Sequence, residues 1–191
     1  MMLPMARSVP EIVTETPHAF IARRFGDKGR AWLAGLPDAL AAIAGRWQLE
    51  LGPPLPGGRL AAVRLVTRAD GSPAVLKLGG PWTRTRDEIT ALSAWNGLPT
   101  PDLLLADANA HVVLLERIEP GIHPVAATGE QIAILLARLH VHAPAGLPPL
   151  ADVARRRIGD ALRDGRATQA KASWALAKVD GLECGPPRGT C

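Results

Sequence analysis

Tyrosine is absent, phenylalanine and cysteine each occur twice in 191 residues, and only four of the 22 basic residues are lysines (Lys28, Lys77, Lys171 and Lys178). Each shortage excludes something. Cys184 and Cys191 stand in a Gly/Pro-rich stretch and form neither a C-x-x-C redox pair nor a zinc-ligand set, so they read as two reduced thiols. An aromatic content of 4% leaves few stacking platforms for nucleic acid. The net charge of +4 does not restore that reading, because it is localised. Residues 1–150 carry 14 basic against 13 acidic side chains, whereas residues 151–191 carry 8 against 5, around Arg155, Arg156 and Arg157. An arginine run on one helix is usually a solvated face, and a nucleic-acid surface would spread its charge along a larger one. No apolar run is long enough to cross a membrane. No apolar stretch follows Arg7 and Glu11 as a secretory signal requires. The expectation is a cytoplasmic protein.

A content of 47% hydrophobic and 21% charged residues is that of a chain with a real core. Pro4, Pro10 and Pro17 break any period at the start, so residues 1–25 read as an irregular arm. Ala31, Trp32 and Leu33, then Leu40, Ile43, Ala44 and Trp47, recur at helical spacing. Gly35-Leu36-Pro37 between them predicts two short helices meeting there. Gly52-Pro53-Pro54 and Pro56-Gly57-Gly58 read as punctuation. The period then becomes two. Leu60 to Thr67 and Pro73 to Gly79 flank Ala69-Asp70-Gly71-Ser72, a hairpin signal because Asp and Gly tolerate positive φ. Arg84 to Asn96 predicts a helix, with Ile89, Leu92 and Trp95 on one stripe and Gly97 as its stop. Leu103 to Ala106 and His111 to Glu116 predict strands. Thr128-Gly129-Glu130-Gln131 is a capping box opening another helix, and helices follow from about Leu150 to Asp164 and Ala167 to Lys178. Strands early and helices late give an α+β class, with a small antiparallel sheet leading into a helical part.

Lys77 is the first residue to carry chemistry. In Ala74-Val75-Leu76-Lys77-Leu78, the two leucines share one strand face and Val75 and Lys77 the other. The bland reading is a charge protecting a strand edge. Glu88, eleven residues on and in the middle of the following helix, suggests another. A strand lysine paired with a glutamate of the next helix is how protein kinases hold the α- and β-phosphates. Pro56-Gly57-Gly58-Arg59 stands where a glycine-rich loop would cover those phosphates, although it does not match G-x-G-x-x-G. Val112 to Arg117 stands where the strand runs into a hinge, whose backbone near Glu116 and Arg117 would meet an adenine edge.

Taken together, GRAWLAGLPDAL (29–40), RW (46–47), PLPGGRLAAV (54–63), VTRADGSPAVLKL (66–78), DEITALSAWNG (87–97), LLERIEPG (114–121) and LLARLH (135–140) resemble the aminoglycoside/hydroxyurea phosphotransferases, streptomycin-kinase-like relatives of the protein-kinase fold. The resemblance covers roughly residues 26–150. It implies a kinase-like N-lobe over 26–117, a partial helical C-lobe over 118–178 and a Gly/Pro-rich tail over 179–191. It implies transfer of the ATP γ-phosphoryl group, with magnesium, to a hydroxyl of a small molecule. By resemblance Lys77 holds phosphates, Glu88 pairs with it, Gly57 and Gly58 belong to the covering loop, Val75 touches the adenine, and Leu115, Glu116 and Arg117 form the hinge.

One departure weighs against activity. The family's catalytic loop reads H-x-D-x-x-x-x-N, followed by a metal-binding Asp. Here Phe20, Val113, Val125, His142 and Pro144 stand two places after the five histidines, so H-x-D does not occur. His140 and His142 would point about 200° apart on a helix, unsuited to joint ligation. No catalytic base and no magnesium ligand can be assigned. The loss of periodicity from Glu183 to Cys191 is what a shifted or prematurely ended reading frame produces, with a native flexible tail as the alternative. The expectation is a catalytically incomplete phosphotransferase whose exposed lobe surface favours self-association. The alternatives are a non-catalytic nucleotide- or partner-binding module, and nucleic-acid binding through residues 151–191.

Overall fold

The computed structural model describes residues 17–55, 59–97, 99–119, 127–140 and 144–183. Gly57, Gly58, Cys184 and Cys191 lie outside the described residues. Two compact units divide between Pro144 and Ala145. The first is α+β and holds every residue singled out above for phosphate or adenine contact.

Its centre is a five-stranded antiparallel sheet in the order β1-β2-β3-β5-β4. The strands are β1 (Leu49–Pro54), β2 (Ala61–Arg68), β3 (Pro73–Gly79), β4 (Leu103–Asp107) and β5 (Val112–Glu116). Four of them fall where alternation places them. β1 does not, because Gly52-Pro53-Pro54 reads as a turn. As an edge strand it needs hydrogen bonds on one side only, so prolines are tolerated. The pairing is irregular between Leu51 and Pro54, and there the Arg64 guanidinium donates twice to the Gly52 carbonyl, at 2.7 and 3.0 Å.

The helix α1 (Pro17–Trp47) packs on one face of the sheet. It differs from the sequence expectation in two ways. Residues 17–25, read as part of an irregular arm, are helical, and the break falls at Gly26 (φ 56°, ψ −133°) instead of at 35–37. Glycine alone enters that backbone region without a Cβ clash. Pro37 removes one helix hydrogen bond, but Leu36, Leu40 and Ile43 around it bury against Val66, Ala74, Leu76, Leu78, Val112 and Leu114, and this packing carries the helix through. The two segments of α1 approach closely at Gly29, where a Cβ would lie 2.5 Å from the Ile21 carbonyl oxygen.

The β2–β3 hairpin forms as its sequence predicts. Gly71 takes φ 81°, and Asp70 accepts from both the hydroxyl and the backbone N–H of Ser72. These bonds, and Arg68 beside it, hold the Asp70 carboxyl below its ordinary value of 3.8. Asp107, at the β4–β5 turn, is lowered likewise by the Ala110 N–H, the Arg46 guanidinium and the Asn109 N–H. A carboxyl with a depressed folded value stabilises the fold above its unfolded value, and that contribution disappears as pH falls through the folded value. Thermal melting points should therefore drop below about pH 4, and Asp70→Asn with Asp107→Asn should flatten the drop. Parallel curves for wild type and double variant would refute these roles.

After β3 comes α2 (Thr85–Trp95), closed by Asn96 in the left-handed region and by Gly97 at φ 91°. α3 (Gly129–Leu139) opens with the expected capping box, Thr128 and Gln131 each accepting from the other's backbone N–H. Ile132, Ile134, Leu135 and Leu136 on it are 43–56% exposed. The second unit consists of α4 (Leu150–Arg163) and α5 (Gln169–Glu183), joined by an Arg155–Asp180 ion pair at 2.7 Å. The helix therefore continues past residue 179, where the tail was expected to begin. The Arg155 charge is committed within this unit, leaving Arg156 and Arg157 as the exposed members of the basic run.

Candidate functional site

Lys77 is on β3, the middle strand of the five, so it does not protect a sheet edge. Its register partners are Val63 on β2 and Val113 on β5. Leu76 and Leu78, on the opposite face, are 0% and 3% exposed in the α1-facing core. Strand alternation thus drives Lys77 to the other face, with Val75 beside it. Val75 pairs in turn with Leu65 and Leu115. The lysine stands in a shallow apolar field of valines and leucines.

Glu88 meets it there. The Lys77 Nζ donates to the Glu88 Oε1 at 2.5 Å, and both side chains remain about one-third exposed. The connection is short and stiff. Thr83 closes a turn on the Gly80 carbonyl through both its N–H and its hydroxyl, at 2.9 and 2.7 Å, and α2 begins two residues later. Glu88 falls in the first turn of α2, not mid-helix as the sequence suggested, so its charge also complements the helix dipole. At the other end of α2, Trp95 donates to the Leu139 carbonyl at 3.1 Å. The helix that carries Glu88 is therefore held at both ends.

The pair leaves the Lys77 Nζ partly open to solvent and fixed in direction. That is a point cation suited to a polyanion, and a lysine suits phosphate in this role. The residues present fit the phosphate end of a nucleotide. Among the described residues, no group of three or more His, Cys, Asp and Glu side chains gathers. Toward the end of β5, Leu115 pairs with both Val75 and Leu103. The Glu116 N–H donates to the Asp102 carbonyl at 2.9 Å, while its carboxylate accepts from the Asp102 N–H. Arg117 pairs with Glu119. A depression of about 350 Å³ at the start of α2, lined by Thr83, Arg84, Thr85, Arg86, Ala108, Asn109 and His111, includes none of these residues.

Sequence reasoning found the Lys77–Glu88 pair and missed the aromatic contacts of Trp82. Trp82 stacks on Phe25 with ring centroids 3.9 Å apart, and its indole N–H donates to the Leu60 carbonyl. A scatter of single tryptophans carries no periodic signal, so no pattern marks it in the sequence.

A lysine on the third strand of a small antiparallel sheet, clasped by a carboxylate from the next helix, defines the lobe with which kinase-like enzymes hold phosphates. The particular family follows from sequence. The profile of the aminoglycoside/hydroxyurea antibiotic resistance kinases matches residues 46–182, and the chain belongs to that family. It is 34% identical over 180 residues to streptomycin 6-kinase of Streptomyces glaucescens, covering 88% of this chain and 59% of that one. Streptomycin 6-kinase of Streptomyces griseus is 35% identical over 172 residues, covering 83% and 56%. Hydroxyurea phosphotransferase of Kitasatospora aureofaciens is 39% identical over 137 residues, covering 68% and 40%. The chain thus spans less than two thirds of the length of these relatives. Among solved structures, a macrolide 2'-phosphotransferase type I is similar with a TM-score of 0.38 at 21% identity, over 75% of this chain and 59% of that one.

Proposed function

We propose that the chain binds ATP on the Lys77 face, as the nucleotide-holding part of a phosphotransferase acting on a small-molecule hydroxyl of the aminoglycoside or hydroxyurea type. The observation that carries this is the 2.5 Å Lys77–Glu88 pair in the middle of the sheet. Lys77 would contact the α- and β-phosphates, with Glu88 keeping its ammonium directed at them. Val75 would pack on the adenine, and Gly57 and Gly58, outside the described residues, would by resemblance belong to the loop that covers the phosphates. The N–H of Glu116 is already used by the Asp102 carbonyl, just before β4. Adenine recognition at Leu115, Glu116 and Arg117 would therefore fall to carbonyls and to the backbone from Arg117 onward. ATP, when bound, would supply the phosphoryl group, and magnesium carried on its phosphates would neutralise their charge.

These 191 residues contain no H-x-D-x-x-x-x-N loop. We therefore propose that by themselves they bind nucleotide without turnover, for want of a base to accept the acceptor's proton. The exposed apolar residues of α3 support a second property, self-association in a preparation of these residues alone. Calorimetric titration with ATP, a coupled assay for ADP release with streptomycin or hydroxyurea as acceptor, and sedimentation of the same sample test the three statements together. Expected are a saturable ATP isotherm, no acceptor-dependent ADP, and a concentration-dependent sedimentation coefficient. Absence of ATP binding would sink the nucleotide reading, acceptor-dependent ADP the incompleteness, and a monomer at all concentrations the self-association.

A further inference from the structure

Thr85, Glu88, Leu92 and Trp95 follow one another at three- and four-residue spacing, so they share one side of α2. Thr85 and Leu92 are the buried residues of that helix, 4% and 8% exposed. Between them Glu88 reaches Lys77. Trp95, half-buried at the end of the same row, donates its indole N–H to the Leu139 carbonyl at 3.1 Å. Leu139 is the last residue of α3, where a helix carbonyl finds no partner further along its own chain. Among the described residues, this is the one hydrogen bond that joins α3 to another element.

The two ends of α2 are fixed differently. At its start, the Thr83 hydroxyl bonds the Gly80 carbonyl at 2.7 Å and lies 3.1 Å from the Thr85 hydroxyl. This ties the first turn to the end of β3, but a tether at one end leaves the helix free to turn about its own axis. The pair is sensitive to that rotation. A side-chain tip stands about 5–6 Å from a helix axis, so a turn of about 20° carries it about 2 Å. Such a shift breaks or misaligns the 2.5 Å bond from the Lys77 Nζ to the Glu88 Oε1. A second attachment on the same side, seven residues beyond Glu88 and about 10 Å along the axis, opposes the turn. We infer that Trp95 is a positioning residue for the phosphate-holding pair: its bond to the Leu139 carbonyl sets the rotation of α2, and with it the direction from which Glu88 meets Lys77. The inference deepens the nucleotide-binding reading and rests on it for the effect on ATP, whereas the geometry of the pair does not depend on that reading.

Two variants separate the donor from the bulk of the ring. Trp95→Phe keeps an apolar ring and loses the N–H. Trp95→His loses the larger ring but puts its Nε2 where the indole Nε1 stood, so a donor is restored. Trace acylation with acetic anhydride in the absence of nucleotide, mapped by peptide, reads how firmly Glu88 holds the Lys77 amine. Lys28, Lys171 and Lys178 serve as internal controls. In Trp95→Phe the acylation of Lys77 should rise several-fold relative to those three, and ATP affinity by calorimetry should fall about 2- to 10-fold, the range one neutral hydrogen bond can transmit. Trp95→His should stay near wild type in both. Added to Glu88→Gln, Trp95→Phe should have no further effect on either, because it acts through Glu88. Unchanged Lys77 acylation in Trp95→Phe would overturn the inference, and so would a Phe variant that fails to fold or a His variant affected as much as the Phe one, since packing would then be the role. A loss that persists beside Glu88→Gln would overturn the route through Glu88, and raised acylation with unchanged ATP affinity would overturn the consequence for binding. A wild-type chain that does not bind ATP would sink the nucleotide reading alone, because the acylation rates still decide whether Trp95 holds the pair.

Discussion

Lys77→Met should weaken ATP binding by about 10- to 100-fold, the loss expected when a charge-assisted hydrogen bond to phosphate is removed. The same change should alter folding stability by less than about 1 kcal/mol. The two expectations separate function from fold. Both partners of the ion pair are about one-third exposed, so the Glu88 carboxylate left behind stays hydrated and no buried charge is stranded. Glu88→Gln should weaken binding in the same direction and by less, since the ammonium remains and only its direction is loosened. The double variant should bind no worse than Lys77→Met alone, because Glu88 acts through Lys77. Isothermal titration and urea unfolding on the four proteins decide the matter. Equal ATP affinity in wild type and Lys77→Met would remove the lysine from the site.

Leu76→Ala should cost about 2–5 kcal/mol of stability, the range for deleting a fully buried leucine from a packed core. Leu76 is 0% exposed, in the cluster that joins Leu36, Leu40 and Ile43 of α1 to Val66, Val112 and Leu114 of the sheet. A domain has only about 5–15 kcal/mol in total, so the variant should be partly unfolded near physiological temperature. Leu105→Ala is the control. Leu105 is 42% exposed on β4, and its truncation should cost less than about 1 kcal/mol. Similar urea midpoints for the two variants would mean that the α1–sheet interface is not the core. The contrast bears on the site, because the strand alternation that buries Leu76 also turns its neighbour Lys77 to the opposite face.

Much of this was legible from period alone. Alternation over Pro73–Gly79 identified both the strand and the face that Lys77 takes. Asp70-Gly71 marked its hairpin, and Thr128 with Gln131 marked the start of α3. What the sequence obscured has three physical origins. Prolines mean different things by context: Pro53 and Pro54 were compatible with an edge strand, and Pro37 with a helix whose flanking leucines are buried. A glycine's φ is not written in its neighbours, so the break in α1 at Gly26 gave no signal against the more conspicuous Gly35-Leu36-Pro37. Long-range side-chain contacts leave no local pattern, which is why the contacts of Phe20 with Arg59 and of Trp82 with Phe25 and Leu60 escaped notice. The Lys77–Glu88 pair was readable because its two residues come from consecutive elements joined by a short turn.

The most direct test of the central claim is labelling with an acyl-phosphate derivative of ATP, which transfers its acyl group to an amine lying against the bound phosphates. The chain has only Lys28, Lys77, Lys171 and Lys178 as lysine acceptors, so peptide mapping resolves the outcome cleanly. The account predicts labelling concentrated on Lys77 and suppressed by excess ATP. Labelling distributed over the four lysines, or insensitive to ATP, would contradict it.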